Sequence, residues 1–329
     1  MNAFTTSVIG IAAAAVCLPL LGAEYRISGP YAHNNLSVFL IHGPNRMTRH
    51  LLTLEEALDQ HKVVVYETKN VNELSIENTS DEDVFIQSGD IVKGGQQDRT
   101  LKDDMILPAK SGKLNLSAFC VEHGRWTRRG AERADTFESS RQAVASKELK
   151  MAVKMRANQS EVWDGVAKAQ DKLSSNVGAG ARAQASPTSF AMTMTAPAVE
   201  KSIDGYLQEL AGIINHEGDA IGYAFAINGK LNSVDIYGSH ELFTKLWMKL
   251  LRASSVEAVS EFDRDKKFEP VTAKMVQAAL ADAESGKTDT REVTGRTRVV
   301  VKESAQNVMF ETVDRLQKDA PVHKNYLTK

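Results

Sequence analysis

Apolar positions along this chain change their spacing several times, and each change marks an element. Over residues 36–121 the apolar runs are short and separated by polar turns. Val38-Phe39-Leu40-Ile41 and Val63-Val64-Val65-Tyr66 are β-branched and aromatic, the composition that strands favour. Leu74 and Ile76 alternate with Ser75 and Glu77, the period of two that lines one face of a sheet. A polar turn over 79–83 follows, and Val84–Ile86 leads into a glycine-rich block. Between the first two runs, Thr53-Leu54-Glu55-Glu56 places a hydroxyl three residues before a carboxylate. That is a capping box, which satisfies the first free amides of a helix. Short strands at this spacing predict a small sandwich or barrel.

From about residue 136 to 173 the period becomes helical. Val162, Val166, Ala169 and Leu173 fall on one stripe, and Asn158 or Ser160 is placed to cap it. Residues 174–199 are rich in Ser, Gly, Ala, Thr and Met and contain Pro187 and Pro197, which reads as a flexible linker or loop. Ile203, Tyr206, Leu207, Leu210, Ile213 and Ile214 then mark an amphipathic helix. Two apolar runs, 220–227 and 231–237, flank Asn228-Gly229, whose tolerance of positive φ predicts a tight hairpin. Ser239 caps a helix carrying Leu242, Phe243, Leu246, Trp247, Leu250 and Leu251. Another helix starts near Pro270, and runs at 298–301 and 308–312 pair as strands. The expected fold is α+β. It has a β-rich N-terminal sandwich or barrel-like part with trailing helices over 24–173, the linker or loop over 174–199, and a C-terminal helix–hairpin–helix part over 200–329 packing on the first.

The first 23 residues carry no charged side chain, and 8–21 is mainly apolar, ending in Leu21-Gly22-Ala23. Small residues at those positions suit a signal peptidase, and the run is short for a membrane span of ~20 apolar residues. The expectation is a signal peptide over 1–23, a mature protein starting at Glu24, and a periplasmic or secreted location. Membrane contact comes only through the export signal. Cys17 follows Val16, a poor neighbour for lipoprotein processing, and Cys120 then remains without a partner for an intrachain disulfide.

Forty basic against forty-two acidic side chains give a formal charge of −2, with no basic stripe of the kind a nucleic-acid binder shows. The basic residues Lys93, Arg99, Lys102, Arg125, Arg128 and Arg129 lie among Asp90, Asp98, Asp103, Asp104 and Glu122. That mixture fits a local ion-pair network or a small anionic ligand. In Gly94-Gly95-Gln96-Gln97-Asp98-Arg99, two glycines let backbone amides approach an anion. Gln96 and Gln97 can hydrogen-bond hydroxyls or a base, and Arg99 can hold a carboxylate or phosphate. The same residues also make an ordinary tight turn closed by an internal ion pair. They lack the Walker lysine-serine pair and the dinucleotide glycine spacing.

Glu122 and His123 can supply acid–base chemistry, Arg125 an anion contact and Trp126 a stacking face. Alternatively, Glu122 bridges to Arg99 or Arg125 and Trp126 is a packing anchor. Both segments are expected to converge on one polar patch centred on Arg99 and Arg125. Cys120 shares a strand face with Leu114, Leu116 and Ala118, which favours a buried structural thiol over a nucleophile. Asp103 and Asp104 are adjacent, so on a strand they point to opposite faces, and a solvated turn is the better reading. His216-Glu217-Gly218-Asp219 is a polar turn. No metal-ligand spacing appears, so neither a metal nor a cofactor is expected.

Four blocks together resemble one family, the proteins named for association with ADP-ribosylglycohydrolases and rhodanese-like phosphatases. They are residues 89–99, 119–126, Asn158-Gln159-Ser160-Glu161-Val162-Trp163, and 226–250 beginning Ala226-Ile227-Asn228-Gly229. The resemblance implies a link to NAD-derived ADP-ribose metabolism by gene association, with Gln96, Arg99, Glu122 and Arg125 as candidate ligand residues. Three functions follow in order. The first is an exported ligand-binding or accessory protein with a polar anion-type pocket. The second is a hydrolase-like enzyme on a nucleotide-sugar or ADP-ribose-like substrate. The third is a structural envelope protein.

Overall fold

The computed structural model describes residues 25–178 and 180–329, so the expected signal peptide lies outside the described residues. In the first half the strands are β1 (Arg26–His33), β2 (Leu36–His42), β3 (Leu52–Thr53), β4 (Val63–Asn70), β5 (Glu73–Asn78), β6 (Val84–Ile86), β7 (Asp90–Gly94), β8 (Arg99–Leu101), β9 (Met105–Leu107), β10 (Gly112–Cys120) and β11 (Thr136–Ala143). The second half adds β12 (Ala220–Ile227), β13 (Lys230–Tyr237), β14 (Lys287–Glu292), β15 (Thr297–Glu303), β16 (Asn307–Asp314) and β17 (Ala320–Thr328). The helices are α1 (Leu54–Asp59), α2 (Lys147–Met151), α3 (Gln159–Asn176), α4 (Phe190–Met194), α5 (Pro197–Leu210), α6 (His240–Ser260) and α7 (Ala273–Glu284). A π-helical turn, Ala152–Arg156, continues α2.

The strands form three assemblies: an eight-stranded sheet in the order β1-β2-β12-β13-β17-β16-β15-β14, a closed barrel β10-β5-β4-β11-β7-β8, and a small sheet β3-β6-β9. The barrel interior follows the strand period: Val63 and Val65, Leu74 and Ile76, Leu116 and Ala118 point inward with Leu101 and Phe137. In the large sheet, β12 is buried on both faces. Tyr223 and Phe225 face α6, where Tyr223 lies 5.7 Å from Trp247 between ring centroids. Ala224 and Ala226 point the other way, toward Val276, Leu280 and Ala283 of α7. Ile91, Phe119 and Val121 from the barrel join the α6 core, so α3 and α6 sit between barrel and sheet.

Local signals hold at several ends. Thr53 and Glu56 form the capping box of α1, Asn158 caps α3, and Ser239 caps α6. Asn228 and Gly229 take φ of 51° and 70° in the β12–β13 turn.

Three features differ from the expectation. Residues 136–143 form a strand, not a helix, because Phe137 pairs with Val65 of β4 and Gly94 of β7 and closes the barrel. Tertiary pairing overrides a weak local pattern there. Residues 174–199 contain α4 and are largely packed down: Ala181, Phe190 and Met194 are fully buried. The boundary between the parts is also crossed by a single sheet, since β2 pairs with β12.

Candidate functional site

Cys120 at the end of β10 pairs with Arg99 at the start of β8. The loop from Gly94 and the loop after Cys120 therefore leave the barrel side by side. Gly94 and Gly95 take φ of 118° and 52°, and a Cβ on Gly95 would stand 2.3 Å from the Phe137 ring. Only glycine fits that approach. Three amides of this loop are taken by the protein's own acids: Gly94 N donates to Asp98 Oδ1 (3.1 Å), Gln96 N to Glu67 Oε2 (3.1 Å) and Asp98 N to Glu122 Oε2 (2.9 Å), while Gly95 N donates to the Arg133 carbonyl. Internal carboxylates thus occupy the cradle that the sequence offered to an external anion.

Asp98 and Glu122, both wholly buried, are the centre of an ion-pair network. Arg129 bonds both Asp98 oxygens at 3.0 Å and also reaches Glu132. Arg125 donates to Glu122 Oε1 at 2.7 Å and to the carbonyls of Gly94, Gly95 and Thr127. Two serines of the 174–199 loop complete the shell, Ser186 donating to Glu122 and Ser189 to Asp98. Burial raises the pKa of Glu122, but the bonds from Arg125, Ser186 and the Asp98 amide outweigh it and hold the carboxyl below its ordinary range. Buried ion pairs of this kind add little net stability but are costly to break.

The other expected site residues lie around this network. Arg99 turns inward, sharing the barrel-facing side of β8 with Leu101, and takes a different carbonyl of the 94–97 loop from those that Arg125 holds. Its Nη1 donates to the Gln97 carbonyl at 2.8 Å, and its Nη2 stands 3.5 Å from Glu67 without hydrogen-bond alignment. The Gln97 side-chain amide is likewise wholly buried without a protein partner. Gln96 is half-buried and Trp126 is 49% exposed. Cys120 is buried, and burial pushes its thiol to about 11 although Arg99 pulls the other way. That thiol is inert at neutral pH.

His123 is exposed, with its ring 4.4 Å from that of Trp163 on α3. Trp163 Nε1 donates to the Glu122 carbonyl at 3.2 Å, and the Gln159 side chain bonds the Cys120 N and O at 2.8 and 2.9 Å. These contacts dock α3 against the barrel mouth. A groove of about 350 Å³ opens there, lined by His123, Ser160, Trp163, Asp164, Arg182 and Thr188 among others. It offers two ring faces, hydroxyls, a carboxylate and a guanidinium, the last paired with Asp171 at 2.7 Å.

A second buried cluster joins Asp104 to residues far along the chain. His323 on β17 places Nδ1 2.7 Å from Asp104 and Nε2 3.0 Å from Asp235 on β13. Burial opposes charge on the imidazole, but the two carboxylates outweigh it and raise its pKa to about 9. Burial also raises the pKa of Asp104, yet His323 and the Ser88 amide hold it far below the usual carboxylate range. Asp104 is thus a buried acceptor and not part of a solvated turn, because the β9 segment is covered by the large sheet. Asp103, in the bend between β8 and β9, pairs with Arg291. No local motif announces His323 and Asp235, which stand 88 positions apart.

The turn after the 3₁₀-helical residues 211–214 brings Glu217 and Asp219 to His42, their ligand atoms lying within 4.8 Å of one another. Nδ1 of His42 bonds Asp219 at 2.8 Å, and Arg26 also holds Asp219, so the group is closed on itself by hydrogen bonds.

The chain belongs to the family defined by the ARG and Rhodanese-Phosphatase-superfamily-associated Protein domain, whose model matches residues 24–327. No curated protein and no solved structure matches it.

Proposed function

We propose that this member of the family is an exported ligand-binding or accessory protein, and that its ligand lies in the groove beside His123 and Trp163. One observation carries the reading. Blocks 89–99, 119–126 and 158–163, which mark the family in the sequence, meet at one end of the barrel, and the groove opens where the last two touch. The ion-pair network is then the frame that positions His123 and Trp163. The ligand class follows from the lining. Ring faces accept a flat ring, Asp164 accepts from hydroxyls, and Arg182 can exchange Asp171 for a phosphate or carboxylate. A nucleotide or ADP-ribose-like molecule combines these features. Export is supported by the family match starting at residue 24, directly after the apolar run that ends in Ala23. No helix among the described residues is long and apolar enough to cross a membrane.

The hydrolase reading ranks second because Glu122 faces inward and its oxygens are already engaged. Acid–base chemistry in the groove would rest on His123 and Asp164. A thermal-shift screen of the protein from Glu24 onward with nucleotides, ADP-ribose, sugars and divalent ions tests the proposal. A ligand at a hundred times its Kd adds ~2.7 kcal/mol of stability. The expected result is a shift with the nucleotide class that Asp164→Asn and Arg182→Gln reduce. A shift that both variants leave unchanged, or none with any compound, rejects the groove. Products released from ADP-ribose would favour the enzyme, and an intact Met1 on protein from the source cell would reject export.

A further inference from the structure

Two cavities unrelated to the Trp163 groove meet at one side chain. The inner one, about 30 Å³, lies between the large sheet and the π-helical turn and is lined by Gln87, Lys150, Lys154, Asp235, His323 and Asn325 among others. The outer one is a groove of about 770 Å³ over β14 to β16, whose lining includes Lys154, Lys287, Arg291, Phe310 and Lys329. Lys154 belongs to both.

Lys154 is presented by the π-helical turn Ala152–Arg156, a conformation that recurs at functional sites. Its Nζ donates to Asn325 Oδ1 at 2.7 Å and lies 4.7 Å from the centre of the Phe310 ring. The orientation of Asn325 is fixed, because its Nδ2 donates to Asp235 Oδ1 at 2.8 Å, the same oxygen that faces His323 Nε2. The nearest acids, Asp104 and Asp235, are thus turned to His323. Among the described residues no carboxylate forms an ion pair with Lys154. An amide oxygen and a ring face are weak compensation for an ammonium taken largely out of water. Burial accordingly lowers the amine's pKa, with Asp104 and Asp235 opposing. The surroundings add positive charge. Lys150 lies over the Phe225 ring, Lys287 is exposed, Arg291 pairs with Asp103 and Lys329 with Glu303. Asp289 and Glu303 are the acids of the groove.

We propose that this groove binds a small oxyanion-bearing molecule, a phosphate or a carboxylate, with Lys154 as the central contact and Lys287 and Arg291 at its flanks. The anion supplies the charge-assisted partner that Lys154 lacks. The Asp104–His323–Asp235–Asn325 chain acts behind it, holding the ammonium at the groove floor; these are positioning residues. The site shares no residue with the Trp163 groove, so either can fail without the other.

The test uses inorganic phosphate and acetate separately, at ionic strength matched with sodium chloride. Thermal shift is read for the wild type, Lys154→Met and Lys287→Gln. In parallel, acetylation of Lys154 by an amine-reactive ester is followed by mass spectrometry with and without each anion. The expected result is a rise in Tm of several degrees that Lys154→Met abolishes and Lys287→Gln reduces, with several-fold protection of Lys154. Protection by phosphate alone assigns a phosphate ester, and protection by both assigns a carboxylate-tolerant site. Unchanged acetylation of wild-type Lys154 with both anions overturns the proposal, whether or not Lys154→Met folds. A full shift persisting in that variant overturns it equally.

Discussion

At the barrel mouth, Asp98 and Glu122 stand 24 positions apart and are neutralised by Arg125 and Arg129, three and seven positions after Glu122. At the sheet, Asp104 and His323 stand 219 positions apart and meet only because β9 and β17 are brought together by the fold. Both clusters bury carboxylates almost completely. They differ in the cation. A guanidinium keeps its charge at any pH the protein will meet, whereas an imidazole can lose it. The first cluster is therefore a permanent clamp on two neighbouring loops, and the second is a clamp between distant elements that a base can release.

The largest expected effects come from breaking either clamp. Arg129→Met leaves buried Asp98 without its two-bond partner, and His323→Phe leaves two buried acids facing each other. Each should cost ~3–5 kcal/mol in urea denaturation. A loss under ~1 kcal/mol for Arg129→Met would mean that Arg125, already 3.6 Å from Asp98, takes over the pairing.

The next test sharpens the difference in cation. His323 has a folded pKa of about 9 against 6.5 for the free group, so its contribution is fully present below pH ~6.5 and is lost as pH rises toward 9. The loss should reach ~3 kcal/mol, and Arg129→Met should retain the same alkaline slope. Glu122 and Asp104 have lowered pKa values, so their contributions are present above the ordinary carboxylate range and disappear as pH falls through the depressed values. A flat stability profile between pH 6.5 and 9 would exclude a charged His323.

Smaller effects probe the edge of the first cluster. Cys120→Ala should lower stability by ~1 kcal/mol, within the ordinary range for a single substitution. With its thiol at about 11, Cys120 should label slowly at pH 8; rapid labelling by a bulky reagent would contradict the buried assignment. Trp126→Ala should change stability by no more than ~0.5 kcal/mol, because the side chain is 49% exposed. A larger loss would make Trp126 part of the clamp.

The same contrast separates what the sequence disclosed from what it hid. Caps and turns were legible because their chemistry lies within a few residues: Thr53 with Glu56, Asn158, Ser239 and Asn228-Gly229. The joining of the Gly94 and Glu122 segments was legible because both follow apolar strands. The inward turn of Arg99 was not, since it depends on which face of β8 closes the barrel. Residues 136–143 carry no strand signal of their own, because Glu138, Ser139, Ser140 and Arg141 show little alternation and the strand is owed to β4 and β7. The serines of the 174–199 loop looked like linker composition, yet Ser186 and Ser189 are donors to buried acids. His323 was invisible as a site because its partners come from β13 and the β9 segment.

The position of β17 has a consequence for the order of events in folding. It is the last of the seventeen strands among the described residues, yet it lies between β13 and β16 in the middle of the eight-stranded sheet. During synthesis, the hairpin β12–β13 and the meander β14–β16 are complete before the strand that joins them exists. Until then β13 and β16 each present an unpaired edge, the state most open to pairing with another chain. Joining them also requires contacts across long sequence separations, which slows the closing step. The newborn protein therefore passes through an interval in which its largest sheet exists as two halves, and a chaperone that covers strand edges would act in that interval.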